Sequence, residues 1–253
     1  MFTKAIVRTP SQSMVEGLTS VNLGLPDYSK ALLQHKQYIK ALQSCGLEVL
    51  VLDADEGFPD STFVEDVALL TPYCAIITNP GAVARKGETE GLEKVLCPFF
   101  SRIETIQAPG TLEAGDVMMV GNHYYIGLSE RTNEEGACQL IAILEKYGMK
   151  GATVSLEKVL HLKTGVAYLE NNNLVVCGEF LEKMDFQEFN LLEIDEEDSY
   201  AANCVWVNGT VLIPQGFPRV RAIIEAAGYP VLEVDVSEFR KLDGGLSCLS
   251  LRF

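Results

Sequence analysis

One thiol near the end of the chain sits in a setting that suits covalent chemistry. Cys248 ends the segment Asp243-Gly-Gly-Leu-Ser-Cys248, in which two glycines lead into a short alternating run. A strand end can hold a reactive side chain rigidly while a flexible lead-in lets a substrate approach. Free cysteine is among the most buried residue types, so Cys248 taken alone is more simply interpreted as a core residue. The case for chemistry depends on the residues that share its position elsewhere in the chain.

Carboxylates, an amide, a histidine and this thiol occupy matching positions along the sequence. The predicted elements recur about five times as strand, turn, strand, helix and strand, a period typical of radial repetition or of an array. Because the strand that begins at Cys248 finds its partner in the N-terminal strand Phe2–Arg8, a closed ring is predicted instead of an open solenoid. Spaced by roughly 45 residues, the markers at the start of each repeat are Glu65, Glu113, His161, Asn203 and Cys248.

Local signals define the elements of these repeats. The first strands are predicted at Phe63–Leu70, Gly115–Val120, Thr164–Leu169, Cys204–Val207 and Cys248–Phe253. Helices are predicted over Ser29–Cys45, over Gly87–Leu96, from a capping box at Thr132 to Tyr147, and from Pro218 to Gly228. Ser11–Asp27 lacks periodicity and is predicted to be a long loop that acts as a lid or binding element. The predicted fold class is therefore α/β, in a single domain over 1–253.

The ring predicts which side chains meet. Equivalent strand ends face one another across the central axis, which places Glu65, Asp66, Glu113, His161 and Cys248 around one mouth. A cysteine, a histidine and a carboxylate are the minimum set for thiol catalysis, in which the thiolate attacks and the imidazole moves protons. An unperturbed thiol has a pKa of about 8.5, so a protonated histidine or a bound cation must raise its thiolate fraction. A purely structural role for the histidine is the alternative.

Four acids in that mouth point to a cationic substrate. Asp60, Glu65, Asp66 and Glu113 would repel one another in one cavity unless a cation binds there. A planar guanidinium matches carboxylates in bidentate fashion and is the natural partner. A peptidase-like thiol site would instead need neutral oxyanion donors, which four acids do not supply. Taken singly, Asp60 or Glu65 is equally well interpreted as a solvated turn residue.

Two arginines are candidates for the other end of such a substrate. Arg85 follows Pro80-Gly-Ala-Val-Ala, and Arg131 immediately precedes the predicted helix N-terminus at Thr132. A helix N-terminus adds a favourable potential for an anion, so both side chains are placed to bind a carboxylate. A surface role is the alternative for each.

Composition excludes several classes of partner. Lys and Arg total 20 against 35 Asp and Glu, a net charge of -15, which disfavours nucleic acid and anionic membranes as partners. No signal peptide or membrane-spanning run is apparent. Seven cysteines without a C-x-x-C pair signal neither a disulfide framework nor a zinc site. A cytoplasmic location is therefore predicted.

The segments around these residues resemble the dimethylarginine dimethylaminohydrolases of the guanidine-modifying, or pentein, superfamily. The similarity runs through essentially the whole chain, in DSTFVEDVALL, PGAVARKGE, TLEAGDV, IGLSERTN, HLKTGVAYLE and DGGLSC. HLKTGVAYLE and FVEDVA are the most specific of them. The resemblance implies a five-bladed α/β propeller of pseudo-fivefold ββαβ repeats with its active site on the central axis, in agreement with the repeats above.

The resemblance also implies roles for individual residues. Cys248 matches the nucleophile, His161 the general acid and base, and Glu113 the third catalytic group. Glu65 and Asp66 match the residues around the guanidinium.

Further matches lie where the family binds the rest of its substrate. Arg85 and Arg131 match the residues that bind the amino acid carboxylate, and Leu18 matches a lid residue that contacts substrate through its backbone. Matches to other pocket-lining positions are Asp60, Leu242 and Asp243. The chain departs from the family pattern at Gly81-Ala-Val-Ala-Arg85-Lys86 and at Ala114-Gly115, where the family often has Gly-Ala-Pro-Ser-Arg-Arg and two glycines.

The implied reaction is hydrolysis of Nω-methylated L-arginine to citrulline through a covalent thiouronium on Cys248. No cofactor is required, and no metal is assigned because zinc at the active thiol of some relatives is inhibitory. The alternatives are the same thiol chemistry on arginine, citrulline or a related guanidine or ureido compound, amidino transfer, and a non-catalytic guanidine-binding protein. The implied partner is thus a small guanidinium amino acid; the oligomeric state stays open, with a homodimer among the candidates.

Overall fold

The structure, a computed structural model, describes all residues from Met1 to Phe253. The chain divides into two compact units. The terminal unit comprises Met1–Val64 and Gly165–Phe253, and the internal unit comprises Glu65–Thr164. None of the helices combines the length and the apolar character needed to cross a membrane. The prediction of a single domain over 1–253 stays a prediction.

Fifteen strands and six α-helices make up the regular structure. The strands are β1 (Lys4–Arg8), β2 (Glu48–Leu52), β3 (Ala68–Leu70), β4 (Ala75–Ile77), β5 (Ile103–Thr105), β6 (Val117–Val120), β7 (His123–Leu128), β8 (Lys150–Ser155), β9 (Val166–Tyr168), β10 (Asn173–Cys177), β11 (Asn190–Ile194), β12 (Val205–Val207), β13 (Thr210–Pro214), β14 (Val231–Val234) and β15 (Leu251–Arg252). The helices are α1 (Tyr28–Ser44), α2 (Leu92–Leu96), α3 (Glu134–Lys146), α4 (Leu162–Gly165), α5 (Pro218–Ala226) and α6 (Ser237–Arg240).

Five three-stranded sheets repeat one topology. In each, an antiparallel pair is followed by a parallel strand, so the middle strand pairs on both sides. The terminal unit holds the sheets β15-β1-β2, β9-β10-β11 and β12-β13-β14, and the internal unit holds β3-β4-β5 and β6-β7-β8. The predicted pairing of the two ends of the chain is confirmed, with Ala5 opposite Arg252 and Ile6 opposite Leu251. The predicted repeat is therefore confirmed, with one variation: between β10 and β11 the 3-10 segments Gly178–Glu182 and Met184–Phe186 take the place of the α-helix.

Each unit buries its own apolar side chains. In the terminal unit, one cluster gathers Tyr38 and Leu42 of α1 with Phe239, and a second gathers residues of β10, β13 and α5. In the internal unit, Leu140 and Leu144 of α3 pack against Tyr124 and other residues of β6 and β7. Helical spacing of apolar residues on α1 and α3 thus produces the packing that the sequence pattern predicts.

The predicted first strands begin too early, because a single helical turn precedes most of them. Short 3-10 or α-helical turns occupy Val64–Val67, Ala114–Asp116, Leu162–Gly165 and Ser247–Leu249, and regular pairing starts only after them. The partner strands are short, so residues before the ladder satisfy their backbone groups locally, as the amide of Asp116 does by donating to the carbonyl of Glu113 at 3.0 Å. The marker residues therefore lie in or beside turns, and the prediction that they occupy strand ends is corrected to that extent.

Three further expectations are corrected. The helix predicted over Gly87–Leu96 is only α2, because Gly91 takes a left-handed φ of 74° and separates it from a 3-10 segment at Val83–Thr89. The cap of α3 is Asn133, whose side chain accepts from the amide of Gly136, and not Thr132. The loop predicted over Ser11–Asp27 contains a 3-10 turn at Gln12–Glu16.

Candidate active site

A buried cluster of acids and a histidine forms within the internal unit. His161 Nε2 lies 2.8 Å from Glu113 Oε2, and the amide of Gly115 donates to Asp66 Oδ1 at 3.0 Å. One oxygen or nitrogen from each of Asp66, Glu113 and His161 falls within 4.8 Å of the others, and all three residues are buried. Asp66 lies in the helical turn before β3, and Glu113 and His161 immediately precede the turns before β6 and β9, so these side chains converge as the repeat alignment predicted.

Gly115 makes this close approach feasible. A Cβ at this position would lie 2.6 Å from Asp66 Oδ1 and 2.9 Å from His161 Nδ1, so any side chain would displace the imidazole or the carboxylate. The neighbouring Ala114 is accommodated as a buried core residue. The departure of this chain from two glycines thus falls at the position that does not contact the histidine.

The charges of the cluster shift the pKa values of His161 and Glu113 in opposite directions. Burial disfavours the imidazolium of His161, but the negative charge of Asp66 and the hydrogen bond to Glu113 outweigh it and raise the pKa from 6.5 to about 9. Burial likewise opposes ionisation of Glu113, yet the hydrogen bond and charge of His161 and the charge of Arg85 lower its pKa from 4.5 to about 2. The pair is therefore an imidazolium and a carboxylate at neutral pH.

Both predicted arginines border the cluster. Arg85 is buried and contacts Asp66 Oδ2 through Nη1 at 2.5 Å, while its Nη2 donates to Glu88 Oε2 at 2.8 Å. Burial disfavours the charged guanidinium, but the charge of Asp66 and the hydrogen bond to Glu88 outweigh it and hold the pKa of Arg85 well above its ordinary value. Arg131 is more accessible, with its side chain 21% exposed and Nη1 3.8 Å from Glu113 Oε1.

Three polar partners in this unit were missed by the sequence analysis. Glu88 binds Arg85, and its spacing three residues further along the chain was an available signal. Lys163 Nζ lies 2.7 Å from Glu65 Oε1, so the cation beside Glu65 comes from the turn after His161. Asp116 was also overlooked, although it shares a short turn with the marker residue of its repeat.

Asp116 connects the backbone segments that carry the cluster. It is fully buried, accepts from the amide of Leu162 at 2.9 Å, and accepts from the hydroxyl of Ser129 at 2.7 Å. The Ser129 hydroxyl oxygen in turn accepts from the amides of Arg131 and Thr132, and the Thr132 hydroxyl oxygen accepts from the amide of Glu113 at 3.1 Å. A single carboxylate thereby connects the turns beside His161 and Glu113.

The predicted nucleophile lies in the terminal unit, in a turn held by hydrogen bonds between neutral groups and by the guanidinium of Arg252, whose Nη1 donates to the carbonyl of Ser247 at 3.3 Å and to Ser250 Oγ at 2.7 Å. Cys248 is 9% exposed and follows Ser247, which exchanges two hydrogen bonds with Asn203. The hydroxyl of Tyr38 lies 2.9 Å from the carbonyl of Leu246 and 2.7 Å from Ser250 Oγ. Asn203 was aligned as a repeat marker but not predicted as a site residue, and its alignment with Cys248 was the available signal.

The remaining predicted residues form one polar arrangement in the terminal unit. Both oxygens of Asp60 accept from the amide of Leu18, at 3.1 and 3.2 Å. Asp243 accepts from the amide of Ser20 at 2.5 Å, and Leu242 is buried near Gly17. The acid at position 60 thus holds the backbone of the predicted lid and is not a solvated turn residue.

The structure therefore distributes the predicted residues between the two units. Within the internal unit it brings together Asp66, Arg85, Glu113 and His161, with Arg131 at the margin and Glu65 bound to Lys163. The terminal unit carries Leu18, Asp60, Leu242, Asp243 and Cys248. Asp66, Glu113 and His161 also offer one metal ligand each. The raised pKa of His161 suits this cluster to proton transfer.

Comparison with known proteins identifies the family. Residues 27–249 match the family model described as N,N dimethylarginine dimethylhydrolase, eukaryotic. The chain is 61% identical over 254 residues, covering 100% of both sequences, to the N(G),N(G)-dimethylarginine dimethylaminohydrolase of Pseudomonas aeruginosa. It is 36% identical to the enzyme of that name from Streptomyces coelicolor, over 98% of this chain and 96% of the relative.

A solved structure gives the same result. The Pseudomonas aeruginosa enzyme, as a cysteine-to-serine mutant complexed with citrulline, matches with a TM-score of 0.99 at 61% identity and covers 100% of both chains. The predicted fold class, a five-bladed α/β propeller, is confirmed. The chain belongs to the dimethylarginine dimethylaminohydrolase family.

Proposed function

We propose that this protein hydrolyses Nω-methylated L-arginine, as asymmetric dimethylarginine or monomethylarginine, to L-citrulline and a methylamine. The observation that carries the proposal is the buried Glu113–His161 pair beside Asp66, in a chain that belongs to this family. The Pseudomonas aeruginosa relative is complexed with citrulline, the product that this reaction would release.

Cys248 is the nucleophile in the proposed reaction. Its thiolate attacks the guanidinium carbon and forms a C–S bond, and the bond from that carbon to the methylated nitrogen breaks. Dimethylamine leaves, and a thiouronium remains on the sulfur. Water then attacks the same carbon, the C–S bond breaks, and citrulline departs as the thiolate is restored.

His161 moves the protons in both steps. A pKa raised to about 9 keeps the imidazole protonated at neutral pH, so it can donate to the leaving amine. The neutral imidazole that results accepts a proton from the attacking water. Glu113 stays ionised because its pKa is lowered to about 2, and it orients the ring through the 2.8 Å contact.

The two charged ends of the substrate are assigned to different groups. Glu65 and Asp66 provide the negative charge that favours a guanidinium, and Arg131, with its more accessible side chain, provides a cation for the carboxylate. Arg85 is the second proposed contact of the carboxylate. The remaining proposed substrate contacts are Leu18, Asp60, Leu242 and Asp243. We further expect a cytoplasmic enzyme, with a homodimer as the candidate assembly.

The test is product analysis with asymmetric dimethylarginine, monomethylarginine, arginine and citrulline, each incubated separately with the enzyme. We expect citrulline and the matching methylamine from the methylated substrates, with little ammonia from arginine. Ammonia and citrulline from arginine would instead identify a deiminase, and ammonia from citrulline would identify a citrulline hydrolase. Product that requires an added amine acceptor would identify amidino transfer.

Two variants connect the activity to the proposed nucleophile. Cys248→Ser should abolish turnover while the protein stays folded by circular dichroism. Cys97→Ser is the matched control, because Cys97 is exposed and should leave turnover unchanged. Substrate binding without turnover in the parent enzyme would identify a non-catalytic guanidine-binding protein.

A further inference from the structure

A buried amide holds the turn that carries Cys248. Asn203 lies just before β12 and is 7% exposed. The amide of Ser247 donates to Asn203 Oδ1 at 3.0 Å, and Asn203 Nδ2 donates to Ser247 Oγ at 3.0 Å. Two reciprocal hydrogen bonds between buried groups fix one segment against the other far better than a single contact does.

The donor and acceptor roles in this pair follow from chemistry alone. A backbone N–H can only donate, so the side-chain atom of Asn203 that faces the amide of Ser247 must be the oxygen. The amide nitrogen then faces Ser247 Oγ, and the hydroxyl oxygen must accept from it. The hydroxyl proton therefore points away from Asn203.

The thiol lies within hydrogen-bonding distance of the same hydroxyl. Cys248 Sγ is 3.9 Å from Ser247 Oγ, and both residues are buried. Loss of the thiol proton makes the sulfur a stronger hydrogen-bond acceptor, and a donor to the charged form favours that form. Asn203 thus directs a hydroxyl donor toward the sulfur.

The two glycines before this turn allow the close approach. A Cβ at Gly245 would lie 2.4 Å from Cγ and Oδ1 of Asn203, and a Cβ at Gly244 would lie 2.1 Å from Cε1 of Phe63. Only a residue without a side chain lets the loop backbone rest against the amide and the ring. The glycine pair is therefore a packing requirement of the thiol turn as well as a flexible lead-in.

We propose that Asn203 is a positioning residue that orients the Ser247 hydroxyl toward Cys248 Sγ, so that the hydroxyl donates to the thiolate. The nucleophilic role of Cys248 rests on the function proposed above. The arrangement of Asn203, Ser247 and Cys248 does not, and it can be tested without any substrate.

The test measures the alkylation rate of Cys248 by iodoacetamide across pH, using mass spectrometry of the peptide that contains it. Exposed Cys97 in the same digest is the internal reference. Ser247→Ala removes the hydroxyl but keeps the backbone donor to Asn203, and it should raise the midpoint of alkylation by about one pH unit. In turnover, kcat should fall about tenfold while KM stays within about twofold.

Tyr38→Phe is the matched control. Tyr38 braces the same turn through Leu246 and Ser250 without a hydroxyl directed at the sulfur. This variant should lower the denaturant midpoint of unfolding and leave the alkylation midpoint of Cys248 unchanged. Equal alkylation midpoints in Ser247→Ala and in Tyr38→Phe would overturn the proposal, because the hydroxyl would then have no effect beyond bracing.

Asn203→Asp separates orientation from bracing. The substitution keeps an acceptor for the amide of Ser247 but replaces the donor by a second acceptor, so the Ser247 hydroxyl turns to the carboxylate and away from the sulfur. The alkylation midpoint should rise as in Ser247→Ala, with the added negative charge contributing a further increase. In the double variant, which combines Ser247→Ala with Asn203→Asp, the alkylation midpoint should rise by less than the sum of the rises in the two single variants. Full additivity would contradict the proposed action of Asn203 through the Ser247 hydroxyl.

Failure of this proposal and failure of the proposed function give different results. A normal midpoint in Ser247→Ala, together with hydrolysis of methylated arginine by the parent enzyme, would reject only the role of the hydroxyl. A raised midpoint in Ser247→Ala, without hydrolysis of any methylated arginine, would retain the role of the hydroxyl and reject only the substrate assignment.

Discussion

The two regions that carry the proposed chemistry are held together by different forces. Around His161, in the internal unit, ionised side chains contact one another directly and shift each other's pKa values. Around Cys248, in the terminal unit, Tyr38, Asn203 and Ser247 form hydrogen bonds between neutral groups, and the charged Arg252 Nη1 donates to neutral oxygens of Ser247 and Ser250. Proton transfer requires a tuned charge, whereas a nucleophile requires a fixed direction, and the two regions differ accordingly.

This difference predicts how far the effect of a given substitution should extend. Loss of a charge in the histidine cluster changes the protonation state of its neighbours over several ångströms, because buried charges are weakly screened. Loss of a neutral hydrogen bond in the cysteine turn acts mainly on its immediate partners. Apart from loss of Cys248 itself, removal of a charge in the first region should therefore change activity more than removal of a neutral hydrogen bond in the second.

Among substitutions that keep Cys248 itself, the largest effect is expected from Glu113→Gln. The substitution keeps the shape of the side chain but removes the charge that helps to hold His161 protonated, so kcat should fall by about 10²-fold or more. If kcat falls no further in Glu113→Gln than in Ser247→Ala, the expected difference between the histidine cluster and the cysteine turn is contradicted. Steady-state kinetics with asymmetric dimethylarginine measure kcat for both variants.

Gly115→Ala should have the next largest effect. A Cβ would lie 2.6 Å from Asp66 Oδ1 and 2.9 Å from His161 Nδ1, and overpacking of this kind costs roughly 1–3 kcal/mol of stability. We expect kcat to fall about tenfold because the imidazole is displaced. Ala114→Gly is the matched control at the adjacent position, and activity equal to that of the parent in both variants would contradict the contact.

Two buried histidines with different neighbours should titrate at different pH values. His161 should titrate near 9 and His35 near 4, because burial lowers the pKa of His35 without the neighbouring acids that raise that of His161. Nuclear magnetic resonance titration of the imidazole protons measures both values. In Glu113→Gln the midpoint of His161 should move downward, and an unmoved midpoint would refute the role of that acid.

The same shifts predict the pH dependence of stability. The folded pKa of His161 is raised, so its contribution is fully present below 6.5 and is lost as pH rises through about 9. The folded pKa of Glu113 is lowered, so its contribution is present above 4.5 and is lost as pH falls toward 2. Urea unfolding from pH 5 to 10 should therefore show a decline in stability on the alkaline side that Glu113→Gln reduces.

The smallest effect is expected from Asp60→Asn. The amide of Leu18 would keep one oxygen acceptor, so the predicted lid should stay attached by a weaker, uncharged hydrogen bond. We expect KM for asymmetric dimethylarginine to rise about threefold, with kcat within about twofold. A large fall in kcat with unchanged KM would instead assign Asp60 to the chemical step.

Much of the fold was accessible from local sequence signals. The helix predicted over Ser29–Cys45 agrees with α1 to one residue at each end, and the pairing of the first and last strands follows from the repeat. The turns before the first strands were not predicted, because β-propensity continues through residues that have no partner strand opposite them. Where a strand stops depends on the length of its neighbour, which a single segment does not encode.

The sequence by itself determined the repeat, the acidic character and the residue types that can perform thiol and proton chemistry. The spacing of Glu113 and His161 even predicted that they converge. The partners of each group came only from the tertiary structure: Asp66 beside Arg85, Lys163 beside Glu65, and Asn203 against the turn of Cys248. These choices depend on distances of about 3 Å between residues far apart in the chain, and hydrogen bonds of that length are set by packing and not by periodicity.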